Sequence, residues 1–468
     1  MRWLVVGGGA REHAIAAALV RAGAEVAVAS ANSNPGLERL SVRSGRVDPN
    51  DPAKVVAFAR SAAAAAAIVG PEAPLAHGVA DALRAAELPT VGPGTASAAL
   101  ESSKVFCREL LARHGVPGQP AFAAPTTVEG VDAAIAAQRG AFVVKPSALT
   151  AGKGVWVQGA DFGDPKEASV YAKSILLQGG RVVIEEKLEG EEFSLMAFVT
   201  DSGIYSMPLV QDFKRALEGD RGGNTGGMGS YSQRDHLLPF ISPAESDRAL
   251  EVIERTVAAL RAEGLPFRGV LYGGFMLTAA GPKLLEFNVR FGDPEAMNVL
   301  TLYEDGNFSE LLAGVAGGRV DPNLLRFRRR ATVVKYLVPP GYGSRAQPGG
   351  TLTLDEDGIR DAGAQVYYGS VDAAGPGAVR LGSSRGVALV GEASAIYEAG
   401  LRVESALKYV RGDYYVRHDI GTKDDLARRT EHMRSLLVPG AKPSPLPLSV
   451  AAPDAPPSSS APAWQRVG

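Results

Sequence analysis

The sequence predicts a multidomain protein of the α/β and α+β classes, with a doubly wound parallel sheet first and a small β-rich domain last. Three observations predict it. Residues 1 to about 92 alternate short apolar runs with helical segments, the pattern of parallel strands joined by crossover helices. The middle of the chain pairs strand-like runs across glycine-rich or acidic turns, and strand-like runs return beyond about residue 330. At 468 residues and 46% hydrophobic, the chain can bury a large core divided into roughly three or four domains.

Composition excludes several classes. The 49 basic and 51 acidic residues nearly cancel, so no nucleic acid and no membrane is expected as a partner; Arg326, Arg328, Arg329 and Arg330 read as a solvated entrance to a strand. The single cysteine, Cys107, leaves no disulfide framework or thiolate metal cluster, and its place in the helix-like "SSKVFCRELLARHG" makes it a packing residue. With no basic leader and no run of about 18 apolar residues, a cytoplasmic protein is expected. Residues 438–468 are dominated by Pro, Ser and Ala and are expected to form a disordered tail.

The first elements run "WLVVG", Arg11 to Arg21, "EVAVAS", Pro52 to Ser61, "AAIVG", Leu75 to Ala86 and "TVG". Ligands of such sheets bind at the carboxyl ends of the strands. A dinucleotide is not the expected ligand. In "GGGARE" Glu12 stands where the third glycine of that fingerprint belongs, and the second strand ends in "VASANSN", with no acid for a ribose diol. What remains is a glycine turn feeding a helix N-terminus, which suits a phosphate, with Arg11 adding a donor fork. The loop "VGPEAPLAHG" places Glu72 at another strand end, either as an acceptor for sugar hydroxyls or as an ordinary residue at a helix start. Together the two loops suggest a phosphosugar site.

In "FVVKPSALTAGKGVWV" a strand ends in Lys145, and Gly152 and Gly154 flank Lys153 before a second strand. This is a β-hairpin flap whose backbone N–H groups can cover phosphates, rather than a P-loop, which opens a helix. In "VVIEEKLEGEEFSL" the main chain of Glu185, Glu186, Lys187 and Leu188 reads either as an adenine contact followed by Glu192 for a ribose diol, or as a charged solvated turn. "QDFKRALEGDRGGNTGGMGSYS" holds too many glycines for core or helix, and suits close approach to a polar ligand around Asp212, Lys214, Arg215, Asn224 and Thr225. "SPAES" then starts a helix, with Ser242 as N-cap and Glu245 closing a capping box.

"GVLYGGFMLTAAGPKLLEFNVRFGDPEAMNVL" gives two strands joined at Gly281 and Pro282. Alternation sets Glu286, Asn288 and Arg290 on one face, and Leu285, Phe287 and Val289 on the other. A carboxylate and an amide oxygen suit a Mg²⁺ that keeps waters and bridges nucleotide phosphates, and Arg290 beside them suits a transferring phosphoryl group.

These segments, in this order, resemble the ATP-grasp ligases, and most closely the glycinamide ribonucleotide synthetase family, also called phosphoribosylamine–glycine ligases. The motifs "VVGGGAREHAIA", "VGPEAPL", "ESSKVF", "VVKPSALTAGKGV", "NTGGMGSYS" and "LEFNVRFGDPEA" carry the resemblance, which spans about residues 1 to 437. "ATVVKYLVPPGYG", "VYYGSVD" and "YYVRHDIGTKDDLARRTEHM" look like archaeal-type members. The resemblance implies a Rossmann-like substrate domain over 1–100 and an ATP-grasp core over 101–325 with a flap at about 121–189. A C-terminal domain over 326–437 would follow.

The implied reaction joins glycine to 5-phosphoribosylamine at the expense of ATP, through glycyl phosphate, as the second step of purine synthesis. Carried over residue by residue, Lys104, Lys145, Gly152 to Gly154, Glu185 to Leu188 and Glu192 serve ATP, while Glu286 and Asn288 hold Mg²⁺ or Mn²⁺. Arg290, Lys145 and Asp212 are the catalytic set. The phosphosugar is expected between Gly8, Gly9, Arg11, Glu12, His13, Glu72 and the loop Gly292, Asp293, Pro294. His13 reads equally as a structural histidine behind the glycine turn. Asp212, Lys214, Asn224, Thr225, Gly226, Gly227 and Met228 would complete the pocket, with Asp293 on the amino group of glycine. The working unit is expected to be a monomer or weak homodimer.

Two departures stand out: Phe213 replaces a family histidine in "QDFK", and Ser147 and Ala148 occupy flap positions where glycine is common. The alternatives are another ATP-grasp carboxylate–amine ligase, or a non-catalytic nucleotide-binding relative; "GGGAREHA" and "NTGGMG" argue against the first, and Lys145, Glu286, Asn288 and Arg290 against the second.

Overall fold

The computed structural model describes residues 1–149, 154–304 and 306–437. Gly152, Lys153 and the tail expected over 438–468 lie outside the described residues.

The chain opens on the strand Arg2–Val6, the central member of a five-stranded parallel sheet flanked by Glu25–Ser30 and Ala66–Val69. The apolar runs are buried because helices cover the sheet. Helix Pro52–Ser61 has the predicted bounds, set by Asp51 accepting from the Lys54 N–H and by proline in the first turn. The helix expected from Leu75 to Ala86 is instead broken into Glu72–Ala76 and Val79–Ala85, because Gly78 between them takes φ +83°. Arg43–Arg46 forms an edge strand that the sequence reading did not include; its "RSGR" has no apolar alternation to mark it.

The flap region folds around its own small core of Val131, Phe142, Val144, Ala168, Ala172 and Ile184. Its strands Phe142–Pro146 and Trp156–Val157 pair antiparallel, as the hairpin predicts. Behind it lies a four-stranded antiparallel sheet in which Glu191–Val199 and Gly281–Asn288 flank Gly269–Thr278. The helix Pro243–Ala262 packs on it, started by the predicted capping box: the Ser242 N–H donates to Glu245 at 2.7 Å.

A five-stranded antiparallel sheet joins Gln211–Asp212 and Gly229–Ser232 to Ala331–Leu337, Val387–Ala393 and Ala364–Tyr368. It therefore spans the boundary expected near residue 325. Helix Lys423–Leu437 returns to pack on Glu191–Val199 and Gly269–Thr278. No helix among the described residues is long and apolar enough to cross a membrane. Cys107 is buried, and burial pushes its thiol up to about 11, as suits a packing residue.

Candidate active site

The site is built where the flap hairpin, the Gly281–Asn288 strand and the glycine-rich loop after Asp212 converge. Lys145, at the end of its strand, places Nζ 2.7 Å from Glu185 and 3.4 Å from the carbonyl of Leu285. Arg108 Nε lies 2.7 Å from the other Glu185 oxygen. Burial alone would raise the Glu185 carboxyl, but the charges of Arg108 and Lys145 outweigh it and hold it down at about 2. Glu185 therefore acts through its side chain as the anchor of two cations. The N–H groups of Glu186 and Lys187 donate to Ala121 and Ala141, so these two donors are already engaged in the fold. Lys187 Nζ donates to the carbonyl of Gln158.

Lys104 heads the helix Lys104–Arg113 and donates from Nζ to Ala148 at 3.2 Å. Its ammonium is lowered by burial and by Lys145, against the pull of Glu286. Ser147, one of the two departures in the flap, accepts from the Val105 N–H at 3.2 Å, tying the base of the flap to this helix. A glycine there would lack that acceptor.

Glu286 and Asn288 lie two residues apart on one face of their strand, opposite Gly274 and Tyr272. A bulge at Gly274/Phe275 leaves Leu285 out of the pairing and frees its carbonyl for Lys145 and for Arg108, at 2.9 Å. Both candidate metal oxygens face cations: Lys214 Nζ is 3.6 Å from Glu286, and Arg290 Nη2 donates to Asn288 Oδ1 at 2.9 Å. Burial raises the Glu286 carboxyl, and Lys214, Lys104 and Lys145 overcome this to lower it. An ionised carboxylate and an amide oxygen are hard donors that could serve an ion held mainly by phosphate and water; no group of three or more His, Cys, Asp or Glu placed to hold a metal occurs among the described residues. Lys214 also reaches Glu192, at 3.2 Å.

Arg290 continues the line toward the N-terminal domain. Its guanidinium meets Glu72 at 3.2 Å and Glu101 at 3.0 Å, and the Val289 N–H donates to Glu101 at 2.7 Å. Burial would raise Glu72, and Arg290 and Arg11 hold it at about 2. Glu101 is buried more deeply: desolvation, only partly offset by Arg290, raises it to about 7. Arg11 Nη1 donates to the carbonyl of Phe291 at 3.2 Å, bringing the glycine turn against the Phe291–Pro294 loop. A Cβ on Gly9 would lie 3.8 Å from Asp293 Oδ2. The carbonyl of Gly8 accepts from Asn32 and Asn34.

Two residues expected in this pocket are held by the fold instead. Glu12 turns inward, accepting from the Gly9 N–H at 2.7 Å and from Arg11 at 2.6 Å, so it closes the start of its own helix. The buried His13 ring accepts the Tyr368 N–H at Nδ1, 2.9 Å away, and lies parallel to the Tyr368 ring. Burial, then the Arg39 charge, lowers it to about 3, so it stays neutral. These contacts engage both side chains within the fold, and for His13 they agree with the structural alternative read from the sequence.

The glycine-rich loop carries the group that most needs a ligand. Asp212 Oδ1 is buried with no hydrogen-bond partner. Burial and the nearby Glu295 raise its carboxyl well above the usual range. Gly227, at φ +109°, lets the loop pass: a Cβ there would fall 2.5 Å from Asp212 Oδ1 and 2.7 Å from Pro294 Cδ. Thr225 spends its hydroxyl on the Lys214 carbonyl, and Met228 is fully buried, so both shape the loop. Asn224 pairs with Arg215 in the short hairpin. Asp293 is already engaged, accepting from the Tyr336 hydroxyl with Arg385 Nη1 3.4 Å away.

Sequence reasoning missed Glu101, Arg108, Glu295 and Arg385. Arg385 donates to the carbonyls of Gly226 and Asp293, and Tyr272 donates to Glu295 at 2.8 Å. Glu101 and Glu295 sit inside "ESSKVF" and "FGDPEA", the one signal that pointed to them.

Residues 1–101 match the phosphoribosylglycinamide synthetase N domain, and 102–296 match the phosphoribosylglycinamide synthetase ATP-grasp (A) domain. The chain is 44% identical over 436 residues to a phosphoribosylamine–glycine ligase of Pyrococcus abyssi, covering 93% of this chain and 98% of that one. It is also 44% identical to the ligase of the same name from Methanoregula boonei, over 93% of this chain and 100% of that one. The crystal structure of the phosphoribosylamine–glycine ligase of Thermotoga maritima superposes with a TM-score of 0.75 at 28% identity, covering 90% of this chain and all of that one. With both domain models matched in order and full-length relatives on either side, the chain belongs to the phosphoribosylglycinamide synthetase family of ATP-grasp enzymes.

Proposed function

We propose that this chain is an ATP-dependent ligase that joins glycine to 5-phosphoribosylamine, giving glycinamide ribonucleotide, ADP and phosphate. The observation that carries the reading is one continuous line of charged and polar groups. It runs from the lysines of the nucleotide cleft through Glu286 and Asn288 to Arg290, and on to Glu72 in the N-terminal pocket. A ligase of this kind needs its phosphate donor and its sugar amine to meet at one carbonyl.

Lys104, Lys145 and Lys214 supply positive charge for the polyphosphate, and Glu192, beside Lys214, would hold a ribose diol. Glu286 and Asn288 are the residues that would hold a Mg²⁺ or Mn²⁺. Such an ion, when bound, neutralises phosphate charge and polarises the transferred group. Asp212 takes the ammonium of glycine: its buried oxygen has no partner, whereas Asp293 is occupied. Arg290, fixed by Glu72 and Glu101, would stand between the transferred phosphoryl group and a sugar pocket bounded by Gly9, Arg11 and Asp293.

The glycine carboxylate oxygen attacks the γ-phosphorus and ADP leaves. The sugar amine then attacks the carbonyl carbon of glycyl phosphate, losing a proton as phosphate departs with one former carboxylate oxygen. The side chains position the partners, balance charge and exclude water; no protein nucleophile is needed. The working unit is taken to be a monomer or weak homodimer in the cytoplasm. Glycine labelled with ¹⁸O in its carboxylate tests the route. One ¹⁸O in the released phosphate is expected, and unlabelled phosphate would overturn it.

A further inference from the structure

The aromatic ring of Phe213 is sealed in the interior, 1% exposed, directly between two residues that face the site. Asp212 and Lys214 point their side chains toward the cleft, and Phe213, the residue between them, points the other way. There it meets the C-terminal segment of the chain. The guanidinium carbon of Arg429 lies 4.4 Å from the ring centre, and that of Arg417 lies 5.0 Å away.

Both arginines are anchored at their edges by acceptors. Arg429 pairs with Glu191 and Asp220 at 2.7 Å each, and with Asp425 at 3.1 Å. Arg417 donates to the Arg215 carbonyl at 3.0 Å and pairs with Asp220 at 3.0 Å. In-plane hydrogen bonds leave the flat faces of a guanidinium without partners. An aromatic face, unlike an aliphatic side chain, offers them negative charge density. The clamp also touches both sides of the cleft, since Glu191 precedes Glu192 and Arg215 follows Lys214.

We propose that Phe213, held by Arg417 and Arg429, is a positioning residue that sets the reach of Asp212 and Lys214, so that the C-terminal helix Lys423–Leu437 takes part in binding the amino acid substrate. This rests on the ligase reading above, and specifically on Asp212 as the ammonium acceptor. The ring does not touch substrate; it acts through its two neighbours in sequence.

The test uses the full chain. In Phe213→Leu, the KM for glycine should rise about five- to tenfold, the loss of two desolvated ring–cation contacts, with a smaller rise in the KM for ATP through Lys214 and with kcat within about twofold. Phe213→Tyr, which keeps the aromatic face, should restore the glycine KM to within about twofold of the parent. If Phe213→Leu does not fold, Arg429→Lys gives the same readout, because it keeps the charge beside Glu191, Asp220 and Asp425 but removes the flat guanidinium. A variant that loses thermal stability with the glycine KM unchanged would overturn the proposal and leave Phe213 a packing residue. Hydrogen exchange at residues 211–215 reads the clamp without turnover: exchange about tenfold faster in Phe213→Leu supports it, and unchanged exchange overturns it. A parent chain that shows the clamp by exchange but makes no product would instead defeat the ligase reading.

Discussion

Glu101 accepts the Arg290 guanidinium at 3.0 Å from a buried position, and its carboxyl is raised from the ordinary 4.5 to about 7. A raised carboxyl binds more protons in the folded than in the unfolded chain between those two values. Its contribution to stability is therefore complete below about 4.5 and is lost as pH rises through about 7. Glu101→Gln removes this dependence. Urea unfolding of both chains should show the variant gaining on the parent as pH rises from 4.5 to 7, and a pH-independent difference would contradict the assignment.

Asp212→Asn should separate stability from function. The buried Asp212 oxygen without a partner is a folding cost kept for a ligand, so replacing the ionisable carboxyl should raise Tm, by roughly 1–2 °C for a chain of this size. The same change should raise the glycine KM by about ten- to a hundredfold through loss of a charge-assisted contact. A variant with lowered Tm and unaltered glycine KM would remove Asp212 from the site.

Glu286→Gln tests the metal pair. Turnover should fall by about a hundredfold or more, while ATP affinity, resting on Lys104, Lys145 and the hairpin, should change less than about tenfold. Equal turnover, measured over a range of Mg²⁺ concentrations, would dismiss Glu286 as a ligand.

Gly227→Ala places a Cβ 2.5 Å from Asp212 Oδ1 at a φ of +109°. The neighbours are a carboxylate and the Pro294 ring, so the loop must shift; about 1–3 kcal/mol of stability should be lost, together with most of the turnover. Calorimetry and a steady-state assay on the same preparation check both.

Local signals in the sequence were sufficient wherever the cause of an element is local. Ser242 and Glu245 announced their helix, Pro52 opened another, and the apolar run before Lys145 announced its strand. The polar edge strand Arg43–Arg46 carries no alternation, and the break at Gly78 is a backbone event that apolar periodicity passes over. In the candidate site, Lys145, Glu286, Asn288 and Arg290 stood out as polar residues set into apolar strands or their ends, and Asp212 and Lys214 as charged residues leading into a glycine-rich run. Arg385 and Arg108 were not, since what makes them part of the site is a contact with residues far away in the chain. Glu12 and His13 were singled out with the glycine turn, and only packing reveals that one caps its helix and the other meets Tyr368.

The most direct measurement of the central claim is ADP release from ATP and Mg²⁺ with freshly formed 5-phosphoribosylamine and glycine, each omitted in turn, with the amide product weighed by mass spectrometry. The account predicts release that requires both substrates and a product with the mass of glycinamide ribonucleotide. Release that is indifferent to glycine, or a product built on another acid or another amine, would contradict it.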